Sequence, residues 1–327
     1  MEKKMNEKDE STHQNNETPQ TQKSSQSPKN DIVEVYRKLL DVFRDDEDGE
    51  EKKKIASQAI SGYITETINS DPIANIYNII IHYDNTTLLK TDADDIYTAV
   101  TKFTERKPIL MILQSYGGEI GAAYLIGKLC REYSDGKFIV VIPRMAKSAA
   151  TLLSCAADEI HMGSMSELGP IDPQIKDMPV LGLKNSIEHI SQLVSQNPNS
   201  SEMFAKYLIE TVKPIDIGYN ERVAESAMQY AERLLSTHKN NLVNSPAEIA
   251  RNLVYTYKDH GFVIDKSEAT DIFGNNLIKI NTNEYKLSNR VYGYLKSFKE
   301  ICSAFNCSFV YIGTKEEGVK LIKRKKE

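Results

Sequence analysis

Apart from Met1 and Met5, hydrophobic positions enter the pattern only after residue 30. Residues 1–30 hold no Ala, Val, Ile, Leu, Phe or Tyr. A stretch of this kind cannot bury enough surface to offset its conformational entropy, so a disordered tail is expected. Apolar positions from Val33 to Phe43 predict a short helix, and the charge run Arg44–Lys54 reads as an exposed stretch after it. The β-branched and aromatic run Ile76–Tyr83 predicts a strand. Ile96, Val100 and Phe103 recur at helical spacing, behind Thr91 and the acidic Asp92, Asp94 and Asp95 that suit a helix start. Ile109–Leu113 is short and continuously apolar, the pattern of a strand buried on both faces, and Gly117 and Gly118 break it. An apolar helix over Ile120–Cys130, a buried strand over Phe138–Ile142, a helix from about Ser148 to Ala157 and a strand at Glu159–Met162 follow.

Strand alternating with helix means a mostly parallel α/β core with crossover helices. Beyond it, Asn185–Val194, Gly218–His238 and Pro246–Asp259 carry helical periodicity. A β segment at Leu277–Ile280, an amphipathic helix at Val291–Phe305 and a strand at Ser308–Gly313 close the pattern. No linker rich in Pro or Gly separates the halves, so one domain is expected. The division is a tail over 1–30, a helical and charged segment over 31–70, the main domain over 71–315 and a basic tail over 316–327.

Composition narrows the functions open to this fold. The 41 Lys and Arg against 46 Asp and Glu leave a net charge of −5, so no global basic field invites nucleic acid. Mean hydropathy is −0.45, and no apolar run approaches a bilayer span. The N-terminal residues lack the apolar stretch of a signal peptide, which makes a cytoplasmic location the expectation. Cys130, Cys155, Cys302 and Cys307 make neither a disulfide framework nor a zinc spacing; buried free thiols, no metal and no cofactor are expected.

Three loops could carry chemistry. Ser115-Tyr116-Gly117-Gly118-Glu119 joins a buried strand to a helix. Its amides could bind a developing oxyanion, although a plain tight turn has the same composition. Pro143 to Thr151 ends a strand and opens a helix at Ser148, whose small neighbours Ala146, Ala149 and Ala150 leave room around the hydroxyl; a serine there can equally be only a cap. Ser166 to Gln174, with two prolines and a glycine, reads as an irregular structural turn.

Taken in order, SYGG, AKSAAT, ADEI and LGPIDPQ resemble the "TPGG", "AMSAGT", "ADEI" and "LGPVDPQ" motifs of the Clp-fold serine peptidases, and within that clan the serine dehydrogenase proteinase family. Asp259 to Ile264 and the helix of IGYNERVAESAMQYAERLL resemble later family segments, so the likeness covers roughly residues 75–280. It implies an α/β fold of the ClpP/crotonase-like type, a spiral of ββα units with a helix-rich C-terminal half. It implies Ser148 as nucleophile, Gly118 and Ala149 N–H groups as oxyanion hole, and a strand after the Gly-Gly turn that pairs with an extended peptide substrate. Tyr116, Lys147 and Ala150 stand where the family has Pro, Met and Gly.

The base is left open by the residues. His260 falls in the segment that precedes the family's "EA…GL" helix and is the candidate histidine base, the alternative being a turn-stabilising hydrogen bond; Asp172 lies near the place where ClpP has its histidine and is a candidate to orient the base, to bind substrate or to hold the loop. His13, His82, His161, His189 and His238 are the other histidines. Lys176, Lys184 and Lys206 are the candidates for a Ser-Lys enzyme. The expectation is a serine peptidase acting on peptide or protein substrates, a homo-oligomer with its interface in the helical half. The rival readings are a catalytically impaired peptide-binding scaffold of this fold and a crotonase-like acyl-CoA enzyme.

Overall fold

The structure is a computed structural model that describes residues 31–44, 49–84, 86–175 and 178–323. The tail expected over 1–30 lies outside the described residues. Two helices come first, α1 (Ile32–Asp41), capped by the Asp31 side chain on Val33 N–H, and α2 (Glu50–Asn69). The charge run hides the start of α2: Glu50 and Glu51 form its acidic first turn, where they complement the helix dipole, and only from Ala56 does a buried stripe appear.

The central sheet is built from β1 (Asn78–Tyr83), α3 (Lys90–Thr101), β2 (Ile109–Gln114), α4 (Ile120–Tyr133), β3 (Phe138–Ile142), β4 (Met145–Ala146), α5 (Ala149–Ser154), β5 (Glu159–Met162) and β6 (Glu167–Leu168). A hairpin of β7 (Gln174–Ile175) and β8 (Met178–Pro179) leads to the helices α6 (Val180–Gln196), α7 (Ser201–Thr211), α8 (Pro214–Leu235), α9 (Pro246–Arg251) and α10 (Lys266–Phe273). The chain returns through β9 (Ile278–Ile280), α11 (Asn283–Ala304), β10 (Cys307–Thr314) and β11 (Val319–Lys323).

Seven strands pair in the order β11-β10-β1-β2-β3-β5-β9. From β1 to β9 all pairs are parallel, and β10 and β11 add antiparallel. The ladder therefore runs into the segment expected as a basic tail: Val319–Lys323 is the edge strand of the sheet, and Leu321 is buried.

The continuous apolar runs follow from burial on both faces. Ile80, Met111, Leu113, Val140 and Ile142 enter one core with α3, α4, α5 and α8. Their alternate neighbours Ile79, Ile81, Leu110, Ile112, Ile139 and Val141 enter a second core with α1, α2 and α11. The connections that leave β2, β3 and β5 begin in one way. A strand of the large sheet continues into a short pairing segment of a small second layer, from which helical chain leads back to the sheet. Ser115 extends β2 in this way, β4 extends β3 and β6 extends β5, and Ser115, β4 and β6 pair side by side. This is the expected α/β spiral with its helix-rich second half. The small layer is what sets the three motif loops against one another.

Candidate active site

The first two loops meet because β2 and β3 are neighbours and their extensions stay paired. Ser115 N–H donates to Met145 O at 3.1 Å, and Lys147 N–H donates to Ser115 O at 3.1 Å. Gln114 is buried, and its Oε1 accepts Met145 N–H at 3.2 Å. Beyond this ladder Gly117 turns at φ 94°, a region costly for any residue with a Cβ. A Cβ on Gly117 would stand 2.5 Å from Lys147 O and 2.9 Å from both Ala149 N and Ser148 Cβ. The Gly-Gly turn is thus pressed directly onto the turn that carries Ser148.

On its other side the turn is held by Leu88, whose N–H donates to Gly117 O and whose carbonyl accepts Glu119 N–H, both at 2.8 Å. A parallel bridge of this kind turns the N–H of the residue opposite, Gly118, away from its partner. Leu88 continues on the β1 side of β2, and Ser148 and Ala149 sit on the β3–β4 side of the same turn. Ala149 is the first residue of α5, and its N–H has no intrahelical acceptor.

Ser148 is half-buried and adopts φ 50°, ψ −116°. A non-glycine residue there stores roughly 1–3 kcal/mol of backbone strain, which surrounding structure must hold in place. The serine is not a helix cap: its side chain makes no capping bond. Among the described residues its hydroxyl has no hydrogen-bond partner. Ala146, Ala149 and Ala150 are fully buried around it.

The third loop is a buried one, and backbone and side-chain bonds tie it to its neighbours. Leu168 N–H meets Ile264 O at 2.9 Å, Gly169 N–H meets Thr151 Oγ1 at 3.1 Å, and Ile171 N–H meets Leu253 O at 2.8 Å. Pro170 and Pro173 bring no N–H to satisfy. Thr151 Oγ1 also lies 2.7 Å from Ala146 O and 2.8 Å from Gly169 O, so it bolts the loop to the start of α5. Thr151 belongs to the AKSAAT motif, yet sequence alone does not reveal that its partner is the proline loop.

Asp172 and His260 are brought together. Asp172 is buried, and its Oδ2 lies 3.7 Å from His260 Nδ1, an ion-pair distance slightly too long for a hydrogen bond. His260 sits in the turn Asp259–Phe262, two residues before a carbonyl, Phe262 O, that accepts from Lys147 Nζ at 3.1 Å. The lysine next to Ser148 thus reaches the segment that carries the histidine.

The other candidate bases are placed elsewhere. Lys184 on α6 faces Glu221 at 3.4 Å, and Lys206 on α7 pairs with Glu202 one helical turn away, both at the surface. Lys176 and His13 lie outside the described residues. His161 is held by Thr282 at 2.8 Å and Glu159 at 3.2 Å, and His189 is exposed on α6. His82 is buried in β1, where desolvation lowers its pKa. Burial, and then the charge of Arg131, lowers His238 to about 4. One expectation is corrected: no strand follows the Gly-Gly turn. Glu119 leads straight into α4, because the apolar stripe begins at Ile120, and Leu88 already fills one flank of the turn. The four cysteines are buried and form no disulfide among the described residues, and burial raises Cys130 well above the ordinary thiol range and Cys155 to about 12.

Among the described residues no cluster of His, Cys, Asp and Glu is arranged to hold a metal, and no helix is long and apolar enough to cross a membrane. Residues 76–197 match the model of a family described as ClpP-like SDH-type serine proteinase. The chain is 33% identical over 97 residues to the uncharacterized protein MJ0137 of Methanocaldococcus jannaschii, across 30% of this chain and 34% of that one. It is 25% identical over 209 residues to the uncharacterized protein MJ1495 of the same organism, across 64% of this chain and 63% of that one. The matches thus span about a third and just under two thirds of these relatives. Among solved structures, a mutant of the 1510-N membrane-bound stomatin-specific protease aligns over 77% of this chain and 95% of its own, at 13% identity and a TM-score of 0.41. A mutant of ClpP1 from Listeria monocytogenes aligns over 64% and 94%, at 16% identity and a TM-score of 0.38.

Proposed function

We propose, from the premise that residues 76–197 are a ClpP-like SDH-type serine proteinase segment, that the chain hydrolyses peptide bonds through an acyl-enzyme on Ser148. The observation that carries this reading is the backbone of Ser148. It is strained, makes no cap, is ringed by alanines and is pressed against a Gly-Gly turn. Strain of this kind is characteristic of a nucleophile displayed on a sharp strand-to-helix turn. In the proposed reaction Ser148 Oγ attacks the scissile carbonyl. The N–H groups of Gly118 and Ala149, one from each turn, stabilise the oxyanion. His260 takes the hydroxyl proton and passes it to the leaving amine, and Asp172 orients the imidazole. The substrate is a peptide or protein. The protein works as a homo-oligomer whose interface lies in the helical half, where α7 buries none of its residues.

The test is covalent labelling by a fluorophosphonate with peptide mapping. Label on Ser148, lost in Ser148→Ala together with peptide hydrolysis, supports the reading. A crotonase-like acyl-CoA enzyme or a binding scaffold leaves Ser148 unlabelled, and either result ends the peptidase proposal.

A further inference from the structure

Lys147 directly precedes Ser148, and its side chain runs to the other two segments of the site. The ammonium has three donors and finds three oxygens: Phe262 O at 3.1 Å, Glu167 Oε2 at 3.2 Å and Leu168 O at 3.3 Å. Only 12% of the side chain is exposed, and the carboxylate of Glu167 compensates the charge that burial would otherwise disfavour. The stem occupies a space made for it: a Cβ on Gly169 would lie 2.6 Å from Lys147 Cδ.

The turn Asp259–Phe262 has few other anchors to the nucleophile layer. Its internal bonds, Gly261 N–H to Asp259 Oδ1 at 3.0 Å and Phe262 N–H to Asp259 O at 3.1 Å, shape the turn but do not attach it. Ile264, two residues on, exchanges a pair of bonds with Leu168 at 2.9 and 3.0 Å. The Tyr257 and Phe262 rings contact each other at 4.7 Å, within the same segment. His260 and Asp172 stand at 3.7 Å without a hydrogen bond. The one bond from the turn to the strand carrying Ser148, among the described residues, is the one made by Lys147.

The geometry points to Lys147 as a positioning residue: its ammonium clamps the turn that carries His260 against the turn that carries Ser148, and so sets the distance between base and nucleophile. The inference rests on the peptidase reading for its catalytic consequence, but the clamp is a physical contact that can be measured without it. Lys147 does not itself touch the reacting atoms, since its three donors are committed to Glu167, Leu168 and Phe262. Misplacing a catalytic group by about 1 Å can lower a rate by roughly 100-fold, so loss of the clamp acts on kcat more than on KM.

The experiment uses the full chain and three variants. Lys147→Met removes the ammonium and keeps the stem, Lys147→Arg restores donors, and Gly169→Ala displaces the stem while leaving the charge. Each is followed by hydrogen exchange at Gly261, Phe262 and Ile264, by fluorophosphonate labelling rate, and by kcat and KM on a fluorogenic peptide. The expected result is faster exchange at these amides in Lys147→Met and Gly169→Ala, with α5 and β5 unchanged. With it should come a fall in kcat and labelling rate of about 10–100-fold at nearly constant KM, and substantial recovery in Lys147→Arg. Unchanged exchange at the three amides, or equal acceleration throughout α5 and β5, overturns the clamp. A wild-type chain that takes no label at Ser148 overturns the peptidase reading instead, and the exchange comparison then still decides the clamp.

Discussion

Replacing Ser148 by glycine should make the protein more stable and inactive at once. Ser148 holds φ 50°, ψ −116°, a conformation that costs a residue with a Cβ about 1–3 kcal/mol and glycine almost nothing. Against this, glycine adds roughly 0.4–1 kcal/mol of chain entropy to the unfolded state. The hydroxyl makes no capping bond, so its removal forfeits none. The balance for Ser148→Gly is a gain of about 1 kcal/mol, and for Ser148→Ala, which keeps the Cβ, a change within about 0.5 kcal/mol. Urea unfolding of the wild type and both variants, compared at equal slope, measures these differences as midpoint shifts, and a fluorophosphonate reports activity. An ordinary capping serine gives the opposite pattern: Ser148→Ala loses about 1 kcal/mol, and glycine, a tolerable cap, loses only a few tenths. If Ser148→Gly unfolds at or below the wild-type midpoint while Ser148→Ala drops by about 1 kcal/mol, the reasoning from backbone strain is refuted.

Gly117→Ala should lose at least about 2 kcal/mol and slow labelling of Ser148 by about 100-fold or more, because its Cβ would meet Lys147 O at 2.5 Å and force the two turns apart; wild-type labelling in this variant would contradict the facing-turn geometry. His260→Ala should abolish peptide hydrolysis and Asp172→Asn should lower kcat, with the circular dichroism of both unchanged; full activity in His260→Ala returns the role of base to a lysine. Folding holds His238 neutral by lowering its pKa from 6.5 to about 4, so its contribution is complete above pH 6.5 and is lost as pH falls toward 4, where the unfolded chain takes up the proton. His238→Phe should therefore flatten the fall in unfolding midpoint between pH 6.5 and 4, and an unchanged slope would show that other groups carry it. Light scattering should return a multiple of 36.9 kDa, and Ile209→Asp, at an apolar side chain 82% exposed on α7, should lower that multiple; a wild-type monomer at micromolar concentration contradicts the proposed assembly.

The amino-acid sequence by itself determined the core of this fold, because its signals are local. Five strong β-formers in a row at Phe138–Ile142 can only be a strand with both faces buried, and the alternating runs around it dictate crossover helices. The three loops were legible for the same reason: Gly117, Gly118, Ser148 and the two prolines mark places where the chain must turn. Segments whose partners are distant in sequence were not legible. The start of α2 is masked by solvent-facing charge, and its buried stripe has meaning only against β11 and α11. Val319–Lys323 carries Lys320 and Lys323 and reads as part of a solvated tail until β10 offers it a hydrogen-bonding edge. The same limit governs the site. That Ser148 sits at a strand-to-helix junction follows from its neighbours, but that its hydroxyl caps nothing and its backbone is strained depends on the Gly-Gly turn packed against it, about thirty residues earlier in the chain. Asp172 and His260 could be named as candidates from their loops, but nothing local in the sequence shows that Lys147 and Glu167 join the segments that carry them. Their meeting is decided by strand order in the small second layer, since side chains far apart in the chain become neighbours only where the backbone ladders bring them into register.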